Sequence, residues 1–275
     1  PAERHPARFH GAEPFDIETG LPLKQKTKSN YTDVFSTVMC KQGDRNDKIV
    51  AITAAMPDGT GLKRFHNMYP DRFFDVGIAE EHAVTFSAGM AAGGLKPVFA
   101  VYSSFLQRAY DQITQDVCIN GNAVTFAVFA GSVYGMNDVT HLGLQDIPML
   151  NSIPGLIYLA PVTKEDYIAM LDWSLTQNEY PVAIKVPGGS MISTGVPVTK
   201  DFSKLDTYEI TKKGSRVAIL GLGTFYETAV KAANILKTSH GIDATVINPY
   251  YISGIDADTL NELKKDHAVV ATLED

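Results

Sequence analysis

Glu80, Glu81 and His82 follow directly on an apolar run in "FFDVGIAEEHAVTF" (73–86), an abrupt place for two carboxylates and an imidazole. Such groups accept N–H donors, hold protons or bind cations. A second stretch, "VYSSFLQRAYDQ" (101–112), closes an apolar run with small hydroxyls and then sets out Phe105, Arg108 and Tyr110. A third, "GSVYGMNDVTHLGLQDI" (131–147), is a polar, glycine-punctuated loop whose His141 and Asp146 could move protons. Each stretch also has a plainer reading. Acids in a first helical turn suit the helix dipole, by roughly 0.3–1 kcal/mol. Phe105 could be core, Arg108 could pair with Asp111 or Asp116, and a loop histidine is often only solvated.

The elements that must position these groups are legible around them. Short apolar runs, "KIVAIT" (48–53), "KPVFAVY" (96–102), "AVTFAVFA" (123–130), "GLIYLA" (155–160) and "PVAIKV" (181–186), alternate with helical stretches at 31–40, 105–117 and 162–175. That is the pattern of parallel strands covered on both faces, so the fold class is α/β. In such sheets ligands gather at the carboxyl ends of strands. "FFDVGIA" reads as a strand exit and "EEHAVTFSAGMAAGGL" as a helix rich in Ala and Gly, suited to close approach of another helix or a ligand. Thr163 and Asp166 have capping-box spacing.

Domain organisation follows from the same pass. With 275 residues, two cores are expected. Residues 1–27 read as a linker or arm, 28–190 as the first α/β domain, 191–214 as a connector and 215–275 as a partial second α/β domain with strands at 216–223, 243–249 and 268–275. Three strands with open edges suggest a piece of something longer. "GLGT" (221–224) lacks the third glycine of a dinucleotide fingerprint.

Composition narrows the functional classes. The chain is 45% hydrophobic and 20% charged with net charge −7, and it gathers no basic cluster, so no nucleic-acid partner is expected. No apolar stretch is long enough for a membrane helix. Two lone cysteines, Cys40 and Cys118, suggest neither a disulfide framework nor a metal site, and fit a cytoplasmic location.

Taken in order, the three stretches, together with "AITAAMPDGTGL" (51–62) and "VVATLED" (269–275), resemble the transketolase group of thiamine-diphosphate enzymes, and within it the 1-deoxy-D-xylulose-5-phosphate synthase family. The resemblance covers nearly the whole chain and implies a transketolase-like pyrimidine-binding domain followed by the start of a transketolase C-terminal domain. It implies that Glu80 hydrogen-bonds the aminopyrimidine N1′ of thiamine diphosphate, that Phe105 stacks on the pyrimidine, and that Tyr102 and Arg108 line the same site. His141 would transfer protons or touch substrate, with Asn137 nearby. The cofactors implied are thiamine diphosphate and Mg²⁺, the diphosphate and metal being held by an N-terminal domain or subunit not in this chain. The partners implied are a 2-oxo acid and an aldehyde, and a second copy in a homodimer.

The sequence also departs from that family. Glu81 stands where the synthases usually carry Gln, and Asn137 where they carry an acid. Ala130 and Gly188 occupy the positions of two arginines that grip the phosphate of glyceraldehyde 3-phosphate, so either Lys185 or another cation substitutes or the acceptor differs. A bidentate arginine contact to phosphate is not replaced by a small side chain. The resemblance therefore leaves a carboligase, a ketol-transferring transketolase subunit, a 2-oxo acid dehydrogenase β-type subunit and a non-catalytic paralogue as readings. The run 102–112 argues against the dehydrogenase subunit.

Overall fold

The computed structural model describes residues 3–4, 14–21, 23, 29–131, 140–186, 188 and 191–274. A six-stranded parallel sheet forms from β1 (Ile49–Thr53), β2 (Phe73–Asp75), β3 (Lys96–Tyr102), β4 (Thr125–Phe129), β5 (Ile157–Leu159) and β6 (Val182–Val186), in the order β2-β1-β3-β4-β6-β5. Every residue of β1, β4, β5 and β6 is buried. That explains why these strands read as unbroken apolar runs: helices cover both faces.

Alternate strand residues feed two cores. On one face α1 (Tyr31–Arg45) contributes Phe35 and Met39. A helix at Lys164–Thr176 adds Tyr167, Met170 and Leu171 there, against Ile49, Ala51 and Ile184. On the other face α3 (Glu80–Ala92) brings Ala83, Val84 and Ala88 against Val50, Ile52 and Val101. Between them in sequence lies the short α2 (Lys63–Met68), and α4 (Asp146–Asn151) follows β4, so the helix at 164–176 is α5. Thr163 caps α5 with Asp166 in the reciprocal arrangement expected from their spacing, and Asn30 with Asp33 does the same for α1.

After β3 the chain does not form one regular helix. Residues 103–118 pass from an α-turn (Ser103–Leu106) through a 3-10 turn (Gln107–Ala109) to a π-helical stretch (Ile113–Cys118). Leu106, Ala109, Ile113 and Val117 still point into the core, which is why the apolar spacing read as a single helix over 105–117. Such irregular turns are frequent where side chains must be aimed at a site.

The second sheet has the order β10-β8-β9-β7, from β7 (Glu209–Lys212), β8 (Arg216–Gly221), β9 (Thr245–Asn248) and β10 (His267–Leu273), with α6 (Tyr226–His240) and α7 (Ala257–Leu263). The stretch read as a connector contributes β7, which runs antiparallel to β9 and covers one edge of the three strands expected. The two sheets are stitched together at β5. Ala160 N–H donates to Tyr250, Ile252 N–H donates to the Tyr158 carbonyl, and Tyr158 N–H donates to Ser253 Oγ at 2.8 Å.

A strap leading to the second sheet is pinned by Glu165, whose carboxylate accepts from Ser193 Oγ at 2.6 Å and from the N–H groups of Thr194 and Gly195. Partial burial pushes this carboxyl up, but the donors outweigh it and hold it at about 2, against an ordinary 4.5. A depressed acid stabilises the strap above its ordinary range and loses that contribution as pH falls toward the folded value. Protection of the Thr194 and Gly195 amides, corrected for intrinsic exchange, is therefore expected to decline between about pH 4.5 and 2. Glu165→Gln should remove most of that pH dependence; an unchanged profile in the variant would show that another group carries it.

Candidate active site

The groups singled out in the sequence converge at the carboxyl ends of β1 to β4. Asp75, at the end of β2, accepts from Ala55 N–H at 2.8 Å and from Gly77 N–H at 3.0 Å, tying the exits of β1 and β2 together. Ala55 and Gly77 both have positive φ, so the chain turns sharply at each. This turn delivers Glu80 as the first residue of α3, with Ala79 before it supplying no side-chain cap.

Burial separates the adjacent acids. Glu80 is 2% exposed, whereas Glu81 and His82 face outward, His82 stacking on Phe86. A helix-dipole role suits Glu81; it does not account for a buried carboxylate at Glu80. Arg108 Nη1 donates to Glu80 Oε2 at 3.0 Å, so the arginine pairs across the sheet end instead of with Asp111 or Asp116. Asp116 takes a hydrogen bond from Thr85.

The same guanidinium lies 5.8 Å from the centroid of Phe105, within cation-π range. Phe105 and Tyr102 form an aromatic ledge, their rings 6.2 Å apart and inclined by 19°. His141 stands edge-on to both, 5.2 Å from Phe105 and 6.1 Å from Tyr102, and its Nδ1 meets Thr140 Oγ1 at 2.8 Å. Glu80, Arg108, Phe105, Tyr102 and His141 thus make one continuous constellation drawn from three strand ends. Burial pushes the Tyr102 phenol above its ordinary value, so it remains a hydroxyl donor at neutral pH. Gly59 packs against it: a Cβ there would sit 2.5 Å from Tyr102 Oη. A cleft of about 530 Å³ opens beside Gly59, lined also by Asp58, Lys63 and Arg64.

Three expectations fare differently. Asn137 lies outside the described residues. Asp146, read as a possible proton-transfer group, is buried within the fold: it receives Lys185 Nζ at 3.2 Å and the Tyr158 hydroxyl. Lys185, offered as a substitute cation for phosphate, is only 6% exposed and is committed to Asp146. Ala130 follows β4 directly in the left-handed region at φ 53°, and its carbonyl accepts from Ser103 Oγ at 3.0 Å. Among the described residues no three His, Cys, Asp or Glu side chains gather as metal ligands, and no helix is long and apolar enough to cross a membrane.

An open parallel sheet thus brings a buried acid, an arginine and an aromatic ledge together at its strand ends. Residues 27–191 match the family described as "Transketolase, pyrimidine binding domain" and residues 206–275 match "Transketolase, C-terminal domain"; the chain belongs to the transketolase family. Among curated proteins it is similar to the 1-deoxy-D-xylulose-5-phosphate synthases of Natranaerobius thermophilus and Clostridium acetobutylicum. It is 43% identical to the first and 45% to the second, with the whole chain aligned in both cases. The chain spans less than half of these relatives, 43% and 44% of their lengths. Among solved structures, a split-gene transketolase described as an inactive β4 tetramer superposes with TM-score 0.74 at 24% identity, over 88% of this chain and 78% of that one. A Pichia stipitis transketolase variant superposes with TM-score 0.76 at 15% identity, over 99% of this chain and 44% of that one. At these identities the structural likeness speaks for the fold alone.

Proposed function

We propose that this chain supplies the pyrimidine-binding half of a thiamine-diphosphate-dependent carboligase, which releases CO₂ from a 2-oxo acid such as pyruvate and joins the acyl unit to an aldehyde. The observation that carries this reading is the buried Glu80 carboxylate, bonded to Arg108 beside the Phe105–Tyr102 ledge. The arrangement fits an aminopyrimidine, which has a flat face for an aromatic ring and a ring nitrogen for a carboxyl group. When bound, thiamine diphosphate supplies the acyl-anion chemistry. Glu80 holds a proton at the pyrimidine ring nitrogen, Phe105 offers its face to the ring, and Tyr102 and Arg108 fix the edges of the site. His141, at the rim of the ledge, contacts substrate and carries a proton to or from its oxygen. Asn137 belongs to the same reading as a substrate contact.

Diphosphate and Mg²⁺ contacts are assigned to a domain or subunit outside this chain. We assign residues 28–190 to the pyrimidine-binding domain, 215–275 together with β7 to part of the C-terminal domain, the rest of 191–214 to a connector and 1–27 to an arm. The enzyme is read as a cytoplasmic homodimer. The curated relatives are named for a deoxyketose phosphate product, and this reading takes glyceraldehyde 3-phosphate or a related aldehyde as acceptor. Ala130, Gly188 and the burial of Lys185 favour either other cations for its phosphate or an acceptor without one.

The test follows CO₂ and product by NMR in the holoenzyme with thiamine diphosphate, Mg²⁺, pyruvate, and glyceraldehyde with and without its phosphate. Aldehyde-dependent CO₂ release with a new ketose is expected. Ketol transfer from a ketose phosphate with no CO₂ would replace this reading with that of a transketolase subunit. The ledge makes its own prediction. Gly59→Ala forces Tyr102 off its position against Phe105, and an aromatic contact is worth about 0.5–1.5 kcal/mol. Cofactor affinity by calorimetry should fall by about twofold to tenfold; an unchanged affinity would remove Tyr102 from the site.

A further inference from the structure

Gly131, two residues past β4, and Asp146, which opens α4 five residues after His141, both rest on one lysine and form an outgoing and a returning foot. At the outgoing foot, Gly131 packs so tightly that a Cβ would lie 2.9 Å from Asp146 Oδ2 and 3.0 Å from Lys185 Cγ. At the returning foot, Asp146 opens α4 and its Oδ2 receives both Lys185 Nζ, at 3.2 Å, and the Tyr158 hydroxyl. Lys185 stands on β6, paired with Val128 of β4, and Tyr158 stands on β5, paired with Ala183. The cluster is almost wholly buried, with side-chain exposures of 6% for Lys185 and 1% for Asp146. Asp146 Oδ1 is buried with no hydrogen-bond partner among the described residues. A fold that needed only to fill this space would do so with apolar side chains, since a buried ion pair is a poor source of stability.

We propose that Lys185, Asp146 and Tyr158 are positioning residues that fix the chain at Gly131 and at Asp146, five residues after His141, and so hold the imidazole edge-on to the Phe105–Tyr102 ledge. The proposal rests on the reading of His141 given above. Asp146 stands five residues after His141 in the chain, and the cluster's influence on the reaction is assigned to that link. Tyr158 adds a second link: its backbone is gripped by Ile252 and Ser253 of the second domain, which ties that domain's docking to the same cluster.

The test is a pairing of variants in the holoenzyme. Lys185→Met with Asp146→Asn removes both charges together, keeps side-chain shape and leaves an acceptor for the Tyr158 hydroxyl. Gly131→Ala instead displaces the outgoing foot with both charges intact. Each is combined with His141→Ala, and kcat, KM for the 2-oxo acid and the pH profile of kcat are recorded. The expected result is a loss of kcat of at least tenfold for each in the wild-type background, with KM changed less than threefold and a shifted pH profile. In the His141→Ala background the further loss should be less than twofold. Equal losses in both backgrounds would overturn the proposal, because the cluster would then act on something other than His141. Normal kcat in His141→Ala would instead overturn the reading of His141. Were the double variant to misfold, Gly131→Ala gives the same comparison, and Lys185→Arg, which keeps the charge, should retain kcat within threefold.

Discussion

Glu80→Gln is expected to lower holoenzyme turnover by about two to four orders of magnitude, the range in which a positioned acid or base contributes, and to leave the fold intact. The substitution keeps the size of a side chain that is 2% exposed and removes its ability to hold and release a proton. Its stability cost is small, because the partner guanidinium is 48% exposed and solvent screens that side of the pair. The glutamine leaves no charge buried at position 80, and the freed guanidinium can turn to water. Steady-state kinetics beside a thermal melt separate the two effects. Near-normal turnover with an unchanged melt would take Glu80 out of the mechanism.

The largest stability effect is expected at the buried pair behind His141. Lys185→Met leaves the Asp146 carboxylate inside the fold without its cation, and breaking a buried pair in this way costs about 3–5 kcal/mol. Combining it with Asp146→Asn removes the stranded charge and should recover most of that loss. Denaturant midpoints of wild type, single and double variant measure the difference. A single variant as stable as wild type would mean that water or the surrounding backbone already solvates Asp146.

The parts of this molecule that were legible in sequence are those whose physics is local. Strands buried on both faces announce themselves as unbroken apolar runs, and Thr163 with Asp166 announces a helix start, because both patterns follow from neighbours in the chain. Strand β7 was not legible: Glu209, Ile210 and Thr211 are exposed, and the segment is a strand only because β9 offers it an edge. Helix α4 was hidden in a stretch whose polar, glycine-rich opening read as a loop throughout.

The same division holds at the site. Glu80, Phe105 and Arg108 were found through a motif resemblance, but their mutual contact depends on how β2 and β3 lie in the sheet, which no spacing encodes. Arg108 has carboxylates closer in sequence at Asp111 and Asp116 and pairs with neither. Asp146 and Lys185 are far apart in the chain, and each invited a catalytic or phosphate-binding role until burial showed them paired with one another. No sequence pattern marks such a pair; only the convergence of β4, β5 and β6 does.

In the proposed function the Glu80–Arg108 pair and the Phe105–Tyr102 ledge receive the pyrimidine ring of thiamine diphosphate. A structure of the holoenzyme with the cofactor bound tests it most directly. The predicted result is a Glu80 carboxyl oxygen within hydrogen-bond distance of a pyrimidine nitrogen, with the ring lying over Phe105. A pyrimidine ring seated elsewhere, with Glu80 bonded to Arg108 alone, would contradict the claim.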